Sequence, residues 1–524
     1  MFRSPAFGSP VSASFTRAPT RALLGAALVA TGLLTGCTKP ASDDPGASGG
    51  AALPNIVYIL ADDLGYGELG AYGQSKIRTP SLDRLADEGM RFTQHYSGSP
   101  VCAPSRATLM SGKHTGNTII KDNYELGGWT DDEERGQMPL PTGSFTIGRM
   151  LQEVGYTTAA IGKWGLGGPG STGIPNEQGF DFFYGYLDQK QAHNYYPTHL
   201  WRNEVWDTLA NPYFSPHQRF DGDDPDDPAQ YEQYSARDYA QDLMAEEALR
   251  FVRENQDNPF FLYLPFPIPH LALQVPEESV DEYEGEFDEE PYLGDRSYLP
   301  HRRPLSAYAA MITRMDAQIG QIVDLIDELG LGENTLIIFT SDNGTTYTGG
   351  VDASFFESTA GLRGLKGSVY EGGVRVPMIA RWTGRIEPGS ASEHVSAFWD
   401  MVPTFAELTG ASHPDDIDGV SLLPTLLGEG DQAEHDHLYW EYHGLWDGAR
   451  AVRMGNWKGV QLGGHSDADA PIELYDLSTD RAESTDVAAD HPDVVAAIRA
   501  IMESRIPSEI PRWNFPSREA GSGG

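Results

Sequence analysis

The chain has 524 residues, 40% of them hydrophobic, with 24 Tyr, 21 Phe and 10 Trp, a composition that folds and excludes general disorder. Asp and Glu number 76 against 37 Lys and Arg, for a formal charge of −39. That balance excludes general nucleic-acid binding, whose affinity comes from basic surface, and suits a salty medium in which the Debye length shrinks to roughly 3–5 Å.

The chain opens with Arg3, Arg17 and Arg21, followed by ALLGAALVATGLL, an apolar run of 13 residues. A bilayer span needs about 20, so the run fits the apolar region of a signal peptide. It ends in Leu34-Thr35-Gly36-Cys37, which resembles the bacterial lipoprotein cleavage box, where the cysteine receives the lipid. Residues 1–37 are therefore expected to be a lipoprotein signal peptide, and the small, polar residues 38–53 a flexible tether. The expected location is the periplasm or the outer membrane and cell surface, with the membrane reached only through the lipid. Of the two cysteines in the chain, this reading leaves Cys102 without a disulfide partner. About 470 residues follow, enough for a large domain over 54–429 and a small one over 430–524.

Short apolar, β-branched runs alternate with helical patterns from there on, the signature of an α/β sheet. NIVYIL (55–60) reads as a buried strand. Thr79-Pro80-Ser81 starts a helix running through SLDRLADEGMRF. PSRATLM reads as the first turns of another helix, with Cys102 at its N-terminus. The helical pattern TIGRMLQEVGY (146–156) leads into the strand TTAAIG (157–162). The segment 203–240, rich in Asp, Pro, Tyr and Gln, reads as a long surface insertion. PFFLYL (259–264) is a further strand; a long amphipathic helix over 305–331 precedes the strand TLIIFT (335–340), and VRVPMIARW (374–382) follows. Past residue 430, HLYWEY, ARAVRMGNWKGVQL and PIELYDL read as short strands and DVVAAIRAIMESRI as a closing helix.

The residues just past each strand carry the chemistry. NIVYIL is followed by Asp62 and Asp63, TTAAIG by Lys163, PFFLYL by PFPIPH ending at His270, and TLIIFT by Asp342 and Asn343. The carboxyl edge of an open α/β sheet is where ligands bind. Asp62, Asp63, Asp342 and Asn343 offer only hard oxygen ligands, a set that suits Ca²⁺ or Mg²⁺ and not zinc. Arg106, Lys163 and Lys366 add positive charge near the same edge. A cation with several Lys and Arg above a helix N-terminus is built for a tetrahedral oxyanion such as sulfate or phosphate.

The stretch Cys102-Ala103-Pro104-Ser105-Arg106 matches C-x-P-S-R, and with ADD, GKW, DNG and GLRGLKGSVYEGGVRVP in the same order the chain resembles the formylglycine-dependent sulfatases of the alkaline-phosphatase superfamily. The likeness runs from about residue 53 to the C-terminal ELYDLSTDRAESTDVA. It implies a large mixed sheet sandwiched by helices, with a smaller C-terminal antiparallel sheet and helix. It also implies hydrolysis of sulfate esters, with sulfated carbohydrates as the expected substrates. Cys102 would be converted to Cα-formylglycine by a formylglycine-generating enzyme, and the aldehyde hydrate would be the nucleophile. One hydroxyl attacks sulfur, and the other then loses its proton and expels sulfate. The metal ligands carried over are Asp62, Asp63, Asp342 and Asn343 with residue 102, for Ca²⁺ or alternatively Mg²⁺. Arg106 would hold the formylglycine side, Lys163 and Lys366 the sulfate oxygens, and His270 would stand beside the leaving oxygen as a general acid. The chain departs from the family at Gly165, where the common G-K-W-H-L-G has a histidine. His193, in QAHNYYPTHLW, is the expected substitute, with His114 as a second candidate. A phosphate or phosphonate monoester hydrolase and a binding lipoprotein without catalysis are the alternatives.

Overall fold

A computed structural model of the chain describes residues 53–517. The signal peptide and all but the last residue of the tether expected above lie outside these residues. No helix among the described residues is long and apolar enough to cross a membrane.

The strands, in chain order, are β1 (Asn55–Ala61), β2 (Met90–Tyr96), β3 (Glu125–Gly127), β4 (Glu134–Gln137), β5 (Thr157–Lys163), β6 (Phe182–Tyr186), β7 (His199–Arg202), β8 (Val205–Thr208), β9 (Phe260–Pro265), β10 (Thr335–Ser341), β11 (Arg375–Arg381), β12 (Ser390–Ser392), β13 (Ser396–Ala397), β14 (Leu438–Tyr442), β15 (Ala449–Met454), β16 (Trp457–Leu462) and β17 (Ile472–Asp476). The large sheet runs β12-β2-β11-β10-β1-β9-β5-β6-β7-β8, with β13 also on β2. Its centre, β10-β1-β9-β5-β6, is parallel, and antiparallel strands flank it on both sides. β14 to β17 form a separate antiparallel sheet in chain order, and β3 pairs with β4 in a short ribbon.

The helices are α1 (Pro80–Asp87), α2 (Cys102–Ser111), α3 (Ile147–Glu153), α4 (Ala240–Glu254), α5 (Glu277–Asp281), α6 (Pro304–Glu328), α7 (Glu371–Val374), α8 (Met401–Thr409), α9 (Leu423–Leu427) and α10 (Pro492–Glu503). They cover both faces of the sheet. Side chains alternate across a strand, so β1 feeds two cores at once. Val57, Ile59 and Ala61 pack with α1, α4 and α6, while Ile56, Tyr58 and Leu60 pack with α2, α3 and α8. A strand buried on both faces reads as the unbroken apolar run that NIVYIL shows. α10 closes the small sheet through Ile498 and Met502.

Two local elements differ from expectation. The helix from Thr79 ends at Asp87, and Met90, Arg91 and Phe92 belong to β2. Gly89 makes the break: its Cβ would stand 2.3 Å from the Ala380 carbonyl oxygen, so the chain passes too close to β11 for a continuing helix. The surface segment 203–240 also contributes β8 to the sheet edge and buries Tyr234.

Candidate active site

Strand register assembles the site. β1 and β10 run parallel with Ala61 opposite Ser341, so the next residues, Asp62 and Asp342, leave the sheet side by side. The Asp342 N–H donates to the Ala61 carbonyl at 3.0 Å, extending the ladder by one bond. Asp63 has φ 67°, left-handed for a residue with a Cβ, and its N–H donates to Asp342 Oδ1 at 3.1 Å. On the far side of β9, β5 delivers Lys163 at its last position, and β9 leads to His270.

α2 points its N-terminus into this edge. Val101 is extended and caps the helix, Cys102 begins it, and Pro104 sits in the first turn, where a missing N–H costs nothing. Gly112, at φ 70°, ends the helix in the left-handed conformation. Residues 102 to 110 are all buried, which holds the helix start against the sheet.

Cys102 Sγ lies 3.3 Å from Asp62 Oδ1, 3.5 Å from Lys366 Nζ, 3.7 Å from Lys163 Nζ and 3.9 Å from Asp63 Oδ1. Lys163 Nζ is 2.5 Å from Asp62 Oδ2, and Lys366 Nζ is 2.7 Å from Asp63 Oδ1. Arg106, one helical turn below Cys102, reaches Asp62 at 3.1 Å and Asp342 at 2.9 Å, and also donates to the Lys163 carbonyl. Its guanidinium fork spans two carboxylates at once, which a lysine cannot do. His270 Nε2 stands 3.8 Å from Asp63 Oδ2, while its Nδ1 is 2.7 Å from the Leu271 carbonyl oxygen. A carbonyl only accepts, so Nδ1 carries the proton and Nε2 presents a lone pair to the cluster.

The charges set the protonation states. Burial alone would raise the Asp62 carboxyl, but Lys163 and Arg106 hold it far below the usual carboxylate range. Burial, helped by Asp62, pushes Asp342 up to about 6. Burial would lower the Lys366 ammonium, yet the Asp63 carboxylate keeps it well above the ordinary lysine value. Burial, with Lys163 and Lys366, drives His270 well below the ordinary imidazole value, so the ring is neutral. Burial and the Asp62 charge push the Cys102 thiol up, so it is not a thiolate. A protonated thiol is a poor nucleophile.

The donor set fits a hard cation. The buried Asp62 and Asp63 offer carboxylate oxygens within 4.8 Å of one another, with Cys102 Sγ and a His270 ring nitrogen at their edge. Asn343 donates from Nδ2 to Asp63 Oδ1 at 2.7 Å, while its amide oxygen is buried and has no hydrogen-bond partner. An orphaned buried acceptor beside three carboxylates is the kind of group an oxygen-loving cation satisfies.

The departure at Gly165 has a physical cause. Gly165 has φ 77°, and a Cβ there would lie 2.3 Å from Gln189 Nε2. The buried Gln189 thus takes the space a histidine at 165 would enter. His193 comes close by another route: its ring stacks on His270, with centroids 4.8 Å apart, and its Nδ1 is 3.0 Å from His217 Nε2. His114 does not join this group. It packs against Trp399 and against Tyr439 of β14, and bonds to Asn117 and the loop at Asp418. Gln189 and His217 carried no signal in the sequence, because Gln189 lies just past a strand and His217 in the Asp-rich segment.

The sulfatase family model matches residues 54–411, and a model described as N-sulphoglucosamine sulphohydrolase, C-terminal, matches residues 365–509. Human arylsulfatase A is 33% identical over 482 residues, covering 86% of this chain and 87% of that enzyme. N-acetylgalactosamine-6-O-sulfatase of Bacteroides thetaiotaomicron is 30% identical over 533 residues, covering 90% of this chain and 96% of that one. The crystal structure of Ps i-CgsB superposes with a TM-score of 0.69 at 28% identity, covering 86% of this chain and 92% of that one.

Proposed function

Because the chain belongs to the sulfatase family, we propose that it hydrolyses sulfate esters of carbohydrates, with residue 102 acting as Cα-formylglycine beside a bound Ca²⁺ or Mg²⁺. The convergence of two lysines and a helix N-terminus on a buried Cys102, within 3.7 Å, carries this reading. Positive charge so placed serves an anion with several oxygens, while burial and the Asp62 charge keep the thiol itself protonated. The names of two relatives support a sugar substrate: one is an N-acetylgalactosamine-6-O-sulfatase, and Ps i-CgsB has been crystallised with a neocarrahexaose.

Asp62, Asp63, Asp342 and Asn343 would hold the cation together with residue 102. Such a cation would supply Lewis-acid polarisation and orientation of the ester. The formylglycine hydrate supplies an oxygen nucleophile whose twin hydroxyl can later expel sulfate. The protein's own residues do the rest. Lys163 and Lys366 neutralise the sulfate oxygens on either side of residue 102. Arg106 fixes Asp62 and Asp342 and so the shape of the floor. His270 Nε2, a bare lone pair on a neutral ring, takes the proton released by the attacking hydroxyl and gives it to the leaving sugar oxygen. His193, stacked on His270 and tied to His217, keeps that ring in place, the nearest replacement for the histidine absent at Gly165.

Maturation by a formylglycine-generating enzyme and export as a lipoprotein through Cys37 belong to the same proposal. The test of the reaction is to assay the sulfate and phosphate esters of one aryl alcohol side by side. Preference for sulfate by at least tenfold in kcat/KM is expected. Preference for phosphate makes this a phosphomonoesterase of the same superfamily, and turnover of neither makes it a binding protein.

A further inference from the structure

Two tryptophans stand open at the rim of the acid–lysine cluster. Trp129 is 41% exposed and Trp446 is 56% exposed, although rings of this size are usually well buried. Exposed aromatic surface gathered beside a polar cleft marks a ligand groove.

The two rings approach the cluster from different residues. Trp129 lies 4.5 Å from the His217 ring and 5.4 Å from the His193 ring, and His193 in turn stacks on His270. Trp446 donates from its indole N–H to the Gly367 carbonyl at 3.3 Å, next to Lys366. Its neighbour Leu445 packs so close that a Cβ on Gly367 would stand 2.8 Å from it. Both His270 and Lys366 face Asp63, so each tryptophan is one residue removed from the reacting centre.

The Trp446 loop is held in a left-handed conformation. Trp446 and Asp447 have φ 59° and 53°, and Gly448 follows at 80°, three left-handed residues in a row. Only the glycine adopts this freely. Backbone bonds from Gly463 to Trp446 (2.9 Å), His465 to Asp447 (2.8 Å) and Gly464 to Gly448 (3.1 Å) pin the loop to the β16–β17 connection. Such strain persists where the surroundings enforce it, and it collects at ligand clamps. Here it holds an indole with more than half of its surface in the open.

We infer that Trp129 and Trp446 wall a saccharide subsite above the cluster, where their faces stack against the C–H faces of pyranose rings. The inference rests on the sulfate-ester reading and extends it: the substrate class is a sulfated saccharide, gripped at its sulfate by Lys163 and Lys366 and at its sugar rings by the two indoles. A fixed ring face gives large contact area at small entropic cost, so each indole acts on ground-state affinity.

The test uses the full-length mature protein and a panel of N-acetylgalactosamine 6-sulfate and sulfated tetrasaccharides of chondroitin and ι-carrageenan. On the best of these, Trp129→Ala and Trp446→Ala are each expected to raise KM tenfold or more with kcat changed less than threefold. Trp129→Phe and Trp446→Phe should restore KM to within threefold. The inhibition constant of inorganic sulfate, which occupies the floor alone, should stay within twofold. Alanine variants with KM within twofold of the parent overturn the inference, and so does a rise in the sulfate constant parallel to KM. Cleavage of an aryl sulfate with no saccharide of the panel accepted also overturns it and leaves the reaction standing. Should no sulfate ester be cleaved, the reaction fails, and calorimetric affinity of the alanine variants for the tetrasaccharides decides the walls by the same tenfold criterion.

Discussion

Lys366 Nζ stands 3.5 Å from Cys102 Sγ and 2.7 Å from Asp63 Oδ1, so one ammonium touches both the proposed nucleophile position and a carboxylate proposed as a cation ligand. Its charge is held by Asp63, and its place is held by the backbone bond from the Lys366 N–H to the Thr345 carbonyl at 2.9 Å. Lys366→Ala removes a positive group from the position where negative charge collects on the sulfate. A loss of about 10²-fold in kcat/KM is expected, with a weaker inhibition constant for inorganic sulfate. Steady-state kinetics with an aryl sulfate measure both. A change below threefold in each contradicts the assigned role.

Arg106 is fully buried between Asp62 and Asp342. Arg106→Ala leaves Asp342 without its cation and Asp62 with Lys163 alone, and breaking a buried ion pair costs about 3–5 kcal/mol. Arg106→Lys restores one charge and loses the fork, so it should recover part of the stability and little of the activity. Denaturant titration and kcat on the same preparations separate the two effects.

The orphaned Asn343 amide oxygen makes metal dependence directly readable. Chelated protein should regain activity on addition of Ca²⁺ or Mg²⁺. Its unfolding free energy should rise by about 2.7 kcal/mol when the ion stands at 100 times its Kd. Asn343→Ala should weaken the ion and flatten that response. Melting curves unchanged by either ion up to millimolar levels contradict the assigned ligand set.

Much of this centre was legible because the parallel strands end abruptly in polar residues. NIVYIL stops at Asp62 and TLIIFT at Asp342, and parallel pairing turns those two stops into neighbours. β5 and β9 bring Lys163 and His270 to the one edge in the same way. β2 was not legible, because MRF continues the helical pattern of α1 and only the close approach of Gly89 to β11 ends it. Gln189, His217 and Trp446 were hidden for a different reason. Each reaches the rim by tertiary contacts of a loop, and no periodicity or motif marks such a residue.

Glu441 ties β14 to the segment after α2. Its carboxylate takes Lys121 at 2.7 Å, Tyr439 at 2.7 Å and His443 at 3.3 Å, and Arg505 lies at 3.5 Å. Burial would raise this carboxyl, but the His443 hydrogen bond and the charges of Lys121 and Arg505 bring it to about 2, against 4.5 ordinarily. A depressed carboxyl adds stability above its unfolded value and loses it as pH falls toward the folded one. The contribution, about 3 kcal/mol, is therefore present at pH 6 and fades between about 4.5 and 2. The stability gap between the parent and Glu441→Gln should close over that window in denaturant titrations. A gap independent of pH contradicts the assignment.

The chemistry at residue 102 is tested most directly by mass spectrometry of the tryptic peptide Phe92–Arg106 from protein matured in a host with a formylglycine-generating enzyme. The expected spectrum shows the thiol sulfur lost and an aldehyde in its place, in proportion to sulfate-ester turnover. Fully active protein whose peptide carries an intact cysteine contradicts the proposed nucleophile outright.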